Sequence, residues 1–501
     1  MRTSHAALIS PVLVVLALAG CAEGKMSGSY GSYAYDSSDT GSSFVSADTA
    51  DTDTQSDSAT DTGVCTHSSD NPITLYMSAD DSNSQATPVL ARAAIDGGRA
   101  YNGPARKWEF LNYYDFDYQA ADAGTVRIVP QMEASQDYPG DLELVVAVVA
   151  PHVSPADREP LSLTFALDTS CSMGGQGLAM AEASMQSMAH QLRSGDTVSL
   201  VTWSSSANTV LDGHVVAGPD DAQLLSAISG LRAGDDTDLS NGLSTAYRVA
   251  DRHTAAGTMS RVVLISDGGA NAGQTDESLI GDHAAAAERD SVYLIGVGVG
   301  DAGSYNTTLM DVVTDKGRGA HVFIDSASEA AHQFDDDTRF LQNLGAAATD
   351  VKLAMTLPAG WVIDRFSGEQ ISTQSSDVIP QNLGADDQMI YHLTVRACGG
   401  DPSASFHFDA TWSDTTGNPK DTQLDADVPT MSAATGTQVA KAVALVDAAT
   451  AIEGVWAEPQ SGRQAYIDAA VAKVQSAIDL RPDDGDLAEV KAELSAMRNE
   501  L

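Results

Sequence analysis

Three rhythms of apolar and polar residues divide the chain. In the centre, short apolar runs at 161–167 (LSLTFAL), 198–203, 261–266 (RVVLIS) and 291–297 (SVYLIGV) predict strands. Between them, apolar residues fall at helical spacing over 176–192, with Leu178, Met185, Met188 and Leu192 on one side, and helices are also predicted over 221–231 and 239–250. Apolar runs set between helices predict parallel strands buried on both faces, and so a doubly wound α/β layer. On either side the pattern changes to strands alone. They fall at 125–132 and 141–149 before the centre, and at 350–355, 388–395 and 405–412 after it, where Phe406, Phe408 and Ala410 alternate at period two. This predicts a β-sandwich with the α/β layer inserted into it. From 438 to 501 the chain is Ala-rich. Leu445, Ala449, Ile452 and Trp456 share one helical face, as do Ile467, Val471, Val474 and Ile478, which predicts a packed helical hairpin. One faint tetratricopeptide-like unit at 479–484 is too little for a repeat array.

The first 64 residues follow none of these rhythms. Arg2 precedes an apolar run at 7–19, too short to span a bilayer, and then Gly20-Cys21. Leu18-Ala19-Gly20-Cys21 resembles a bacterial lipobox, which predicts a signal peptide over 1–20 and lipid on the Cys21 thiol. The alternative is an ordinary signal peptide with an incidental cysteine. Several acyl chains supply a stable anchor, and Ala22 favours the outer membrane over inner-membrane retention. Residues 21–64 are rich in Ser, Thr, Asp, Gly and Ala; with almost nothing to bury, they read as a disordered acidic tether. A calcium-binding tract is the weaker reading, because no EF-hand or nonapeptide spacing is present.

Charge narrows the partners. The 501 residues carry 69 acidic and 27 basic side chains, a formal net charge of −42. That argues against nucleic acid and against an electrostatic hold on anionic lipid, and leaves membrane contact to the N-terminal lipid. It fits cationic partners or divalent metal. The 4 cysteines exclude a disulfide scaffold, and no CxxC pair suggests zinc.

In doubly wound sheets ligands sit outside the carboxyl ends of strands. The strand at 161 ends in Asp168-Thr169-Ser170-Cys171-Ser172, and the strand at 261 ends in Asp267-Gly268-Gly269. Between them Thr237 lies in an acidic turn before a helix. Asp168, Ser170, Ser172, Thr237 and Asp267 form an oxygen-only set, which selects a hard cation: Mg²⁺ foremost, with Ca²⁺ and Mn²⁺ as alternatives. Two carboxylates only neutralise a divalent ion, so it stays receptive to an anionic ligand from outside.

Order and spacing of these five residues resemble the metal-ion-dependent adhesion site of von Willebrand factor type A domains, Asp-x-Ser-x-Ser followed by a distant Thr and a distant Asp. The resemblance implies a Rossmann-like fold and a metal shell completed by an acidic group of a protein partner. It extends to 111–118 (LNYYDFDY), to 296–300 (GVGVG), to 309–325 and to 350–353, segments similar to those of bacterial lipoproteins often labelled calcium-activated chloride channel homologues. No spanning segment accompanies that label, so channel activity is not expected. The implied division is 1–20 signal peptide, 21–64 tether, 65–120 N-terminal region associated with the A domain, 121–155 with 345–430 sandwich, 156–344 A domain, and 435–501 helical region.

The sequence departs from the family pattern in three ways. Cys171 replaces the usual Gly between the two serines, either crowding the site or harmless. Asp235, Asp236 and Asp238 flank Thr237, where they either tune the metal or form a solvated loop. Cys65 and Cys398 flank the folded part and are a possible disulfide in an oxidising envelope, which would leave Cys171 free. No Gly-x-Ser-x-Gly, Walker A or His-Glu-x-x-His motif is present, and GVGVGD lacks dinucleotide-loop spacing, so no catalytic residue is assigned and an enzyme is not expected. His152, His214, His283 and His321 cannot be set beside the metal by sequence. The expected function is adhesion or complex assembly by a surface or envelope lipoprotein. The alternatives are a scaffold with a structural metal and, more remotely, a metallohydrolase.

Overall fold

The computed structural model describes residues 65, 69–79, 84–234, 236–269, 292–433 and 437–501. The predicted signal peptide, Cys21, the tether and Asp235 lie outside the described residues. Among the described residues three strands precede the central layer: β1 (Ile73–Ser78), β2 (Arg127–Ala134) and β3 (Asp141–Val149). The central layer contains β4 (Leu161–Asp168), β5 (Thr197–Trp203), β6 (Ala207–Val215), β7 (Met259–Ser266), β8 (Val292–Val299) and β9 (His321–Ile324). Seven strands follow it: β10 (Ala348–Leu357), β11 (Trp361–Phe366), β12 (Gln370–Ser372), β13 (Gln381–Leu383), β14 (Gln388–Ala397), β15 (Ser405–Ser413) and β16 (Pro419–Asp427).

The central sheet runs β6-β5-β4-β7-β8-β9. All neighbours are parallel except the edge pair β5–β6. Every residue of β4 is buried, and all but the first of β7, because helices cover both faces. Helices Gln176–Gln191 and Leu239–His253 supply much of that cover, the first through Met185 and Met188, the second through Leu243, Ala246 and Tyr247. The polar pattern of β6, exposed at most positions, explains why no apolar run announced it.

The outer strands form two antiparallel sheets, β12-β1-β10-β15-β16 with β13 on β10, and β11-β14-β3-β2. Their inner faces share one core, with Leu144, Val146 and Val148 of β3 opposite Met355, Phe406 and Phe408. β10 and β15 alternate buried and open positions, as a half-covered sheet requires. The chain leaves β3 in one sheet, builds the central layer, and returns at β10 in the other. The α/β layer is thus an insertion between the two sheets of a sandwich. Within 65–120, β1 belongs to this sandwich, paired with β10, while helices Ala86–Asp96 and Lys107–Tyr113 pack elsewhere.

The C-terminal part differs from the expected hairpin. Three helices form, Gln438–Gly454, Arg463–Leu480 and Gly485–Glu500. The turn at 481–484 restarts a helix because the Asp484 side chain accepts the Leu487 N–H at 3.1 Å, an N-cap. Leu487, Val490, Leu494 and Met497 then extend the core begun by Leu445, Ile452, Ile467 and Val474, which also packs on the two N-terminal helices and on Val145 and Ala147 of β3. No described helix is long and apolar enough to cross a membrane. Cys65 and Cys398 are joined, with S–S 2.00 Å and a sequence separation of 333. Cys171 is disulfide-bonded too, so the expectation of a free thiol there is corrected.

Candidate metal centre

β4 and β7 are neighbours whose onward connections leave in opposite directions, to β5 on one side and to β8 on the other. Their carboxyl ends therefore flank a crevice at the switch point of the sheet. Asp168 is the last residue of β4, and Asp267 follows the last residue of β7. Thr237 arrives on the loop before helix Leu239–His253, held from both sides. Gly234 N–H donates to Thr169 O at 2.7 Å, and Asp238 N–H donates to Ser204 O at 2.9 Å.

These five residues converge. A Cβ placed on Gly269 would lie 3.1 Å from Asp267 Oδ1, 3.9 Å from Thr237 Cγ2 and 4.0 Å from Ser172 Oγ. Ser170 Oγ and Ser172 Oγ are 3.0 Å apart, and Ser170 N–H donates to Asp168 Oδ1 at 2.8 Å. Asp168, Ser170 and Thr237 are buried, Asp267 is half-buried and Ser172 is exposed, so the set forms a pit open on one side. Among the described residues no basic side chain pairs with Asp168 or Asp267. Burial pushes the Asp168 carboxyl up to about 7, with Asp267 adding to the rise and hydrogen bonds from Ser170 and Ser266 opposing it. Two oxygen anions without a cation, three hydroxyls and a glycine-lined gap suit a hard divalent ion.

Sequence reasoning missed Ser266. Its hydroxyl donates to Asp168 Oδ2 at 2.8 Å and accepts the Gly268 N–H at 3.1 Å, tying the two carboxylate loops together. Its position directly before Asp267, at a strand end, was the available signal. Gly268 has φ +79, and a Cβ there would lie 2.8 Å from Asn306 N, so only glycine fits the turn. Of the acidic residues around Thr237, Asp238 caps the helix by accepting the Asn241 N–H, and Asp236 is exposed. Asp238 thus has a local structural role that its sequence position left open.

Two of the histidines singled out earlier pair with acids away from the pit, His152 with Asp386 and His214 with Asp221. His283 lies outside the described residues. His321 is buried beside Glu109 and Asp311, their ligand atoms within 4.8 Å of one another, the one such His/acid grouping among the described residues. Arg106 lies 3.4 Å from Glu109 and 2.8 Å from Asp311, Thr87 N–H donates to Glu109, and Tyr305 Oη is 2.7 Å from His321 Nε2. The guanidinium already occupies the cationic role, and burial drives His321 down to about 3. This knot fixes helix Lys107–Tyr113 to the central layer.

Residues 162–337 match the family model of the von Willebrand factor type A domain. The chain is 26% identical over 344 residues to the uncharacterized protein YfbK of Escherichia coli K12, spanning 65% of itself and 59% of that relative. Among solved structures, a von Willebrand factor type A protein from Catenulispora acidiphila is similar at TM-score 0.48 and 18% identity, over 76% of this chain and 91% of that one. The ArnB paralog VWA2 from Sulfolobus acidocaldarius is similar at TM-score 0.41 and 16% identity, over 75% of this chain and 97% of that one.

Proposed function

We propose that this chain, a von Willebrand factor type A domain set in a β-sandwich with C-terminal helices, is an envelope lipoprotein that captures a protein partner through a divalent ion. The observation that carries this reading is the convergence of Asp168, Ser170, Ser172, Thr237 and Asp267 in a pit open to solvent. Asp168 and Asp267 bring two negative charges, and the three hydroxyls bring none. A bound ion, Mg²⁺ foremost, supplies an electrophilic centre that accepts one more oxygen. Burial holds Asp168 and Thr237 fixed, and Ser266 and Gly234 brace their loops. The open side at Ser172 leaves room for an acidic side chain of the partner. Where the Cys21 thiol carries lipid in place of a disulfide to Cys171, that lipid and the acidic stretch to residue 64 would hold this rim away from an outer membrane. His152, His214 and His321 are each engaged with acids outside the pit, which favours binding over turnover.

Calorimetric titration of Mg²⁺, Ca²⁺ and Mn²⁺ into the soluble chain beginning at Ala22, beside Asp168→Ala, tests the site. One-site binding in the wild type, absent in the variant, is expected, together with partner recovery from envelope extract that EDTA or Asp168→Ala abolishes. A variant that melts lower yet recovers the same partners would make the metal structural and the protein a scaffold. Metal-dependent turnover of a substrate would replace both readings by a hydrolase.

A further inference from the structure

A cavity of about 770 Å³ opens beside the metal pit, where the central layer, the first helix and the last helix meet. It borders the pit. Gly300, at the end of β8, lines the cavity, and a Cβ on it would lie 3.4 Å from Asp267 Cβ. Gln176, which opens the helix after the serine loop, lines it too and donates to Asp325 O at 3.4 Å. Both openings therefore lie at the carboxyl edge of one sheet. The size suits a side chain with water around it.

Among the described residues the lining carries seven carboxylates and three arginines. Each arginine is already engaged. Arg92 meets Asp325 at 3.2 Å, Glu329 at 2.7 Å and Glu489 at 3.2 Å. Arg99 meets Asp301, and Arg339 meets Asp115, both at 2.8 Å. Arg92 thus faces three acids alone. Asp96 pairs with no basic side chain among the described residues, and Asp325 Oδ1 is buried without a hydrogen-bond partner. Tyr114, 3% exposed, also lines the cavity with its hydroxyl unpartnered. The surplus negative charge extends behind the wall, where burial and Glu489 push the Glu493 carboxyl well up.

We propose that this cavity receives a basic side chain, Lys or Arg, of the same partner that presents its carboxylate to the metal. The inference rests on the reading of the metal pit above. An acidic or phosphate group would meet like charge and arginines already spent. A cation would find the exposed carboxylate of Asp96 and the acids that Arg92 alone offsets, and the anionic character of the whole chain favours a basic partner surface. Recognition is then two-pronged, with an acid on the ion and a base in the cavity, at a spacing set by the width of the rim.

The probe is an array of octapeptides, each with one Asp and with Lys, Ala or Glu scanned through the other positions, overlaid with the soluble chain in Mg²⁺. Lys at one or two particular spacings should raise retention over Ala by about fivefold, and raised salt should shrink the gain. Asp96→Asn should bring Lys peptides down to the Ala level, while its melting temperature shows that it is folded. Asp168→Ala should lose every Asp peptide. Asp-dependent retention with no Lys-favoured spacing, or a Lys gain untouched by Asp96→Asn, overturns the cavity proposal and leaves the metal reading standing. Retention that ignores both Mg²⁺ and Asp168→Ala removes the metal reading, and the cavity proposal with it.

Discussion

Asp196→Ala should unfold the central layer more readily without weakening metal binding. Asp196 sits before β5 with its side chain fully buried, facing Arg158, whose side chain is 5% exposed. The two terminal guanidinium nitrogens reach the two carboxylate oxygens, one at 3.1 Å. The same carboxylate accepts the backbone N–H of Leu161 and of Arg193, each at 2.9 Å. Truncation leaves a buried guanidinium uncompensated, which costs ~3–5 kcal/mol. At ~2–4 °C per kcal/mol for a domain of this size, the transition should fall by about 10 °C. The double variant Arg158→Met/Asp196→Leu removes the orphan charge but leaves the two N–H groups unpaired. It should recover part of the loss, remaining about 2 kcal/mol below wild type. Urea unfolding followed by circular dichroism measures all three proteins, and Mg²⁺ titration measures the site. Leu161 begins β4 and Asp168 ends it, about 23 Å away at the rise of a strand, so the affinity of the folded protein should be unchanged. A cost below about 1 kcal/mol, or a double variant no more stable than the single, would refute this account of the pair.

Three further outcomes are expected. Glu493→Gln should flatten the pH dependence of stability. The folded chain holds the Glu493 proton above the pH at which the unfolded chain releases it, so wild-type stability falls as pH rises from about 4.5. Melting curves at pH 5 and pH 9 that remain parallel for the two proteins would contradict it. Gly242→Ala places a Cβ 2.3 Å from Trp203 Cγ, so it should cost ~1–3 kcal/mol by overpacking and, by moving the helix that follows Thr237, weaken Mg²⁺ binding severalfold. Calorimetry and thermal unfolding read the two effects. Cys398→Ser opens the covalent link across 333 residues, and the chain-entropy argument sets a ceiling of ~5–6 kcal/mol on the loss. An unchanged melting temperature would show that the Cys65 segment adds nothing to the sandwich.

Much of the central layer was legible because parallel strands buried on both faces are apolar throughout. The run at 161–167 became β4, ending one residue later at Asp168, and 141–149 coincides with β3. β6 and β16 were not legible, since these edge strands expose most side chains and show no apolar run, and β12, half-buried throughout, spans only three residues. β1 was hidden in a region read as an accessory to the A domain, because only its pairing with β10, 282 residues away for Thr74 and Thr356, makes it part of the sandwich. The third C-terminal helix had a local signal, Asp484 as its cap, which two apolar stripes overshadowed.

Sequence alone determined the oxygen-only chemistry of the candidate site, since Asp168, Ser170, Ser172, Thr237 and Asp267 stand at strand ends and helix starts that short-range patterning specifies. It also determined the surplus of negative charge, which needs only counting. The tertiary structure decided what that charge does. It brought Asp96 of the first helix, Asp325 after β9 and Glu489 of the last helix into one cavity beside the pit, and set Ser266 behind Asp168. It assigned His321 to a knot with Arg106. Strand ends and helix caps are set by neighbours a few residues apart. Which carboxylates share a cavity depends on long-range packing, where the hydrophobic cores of distant segments close and carry their polar edges together.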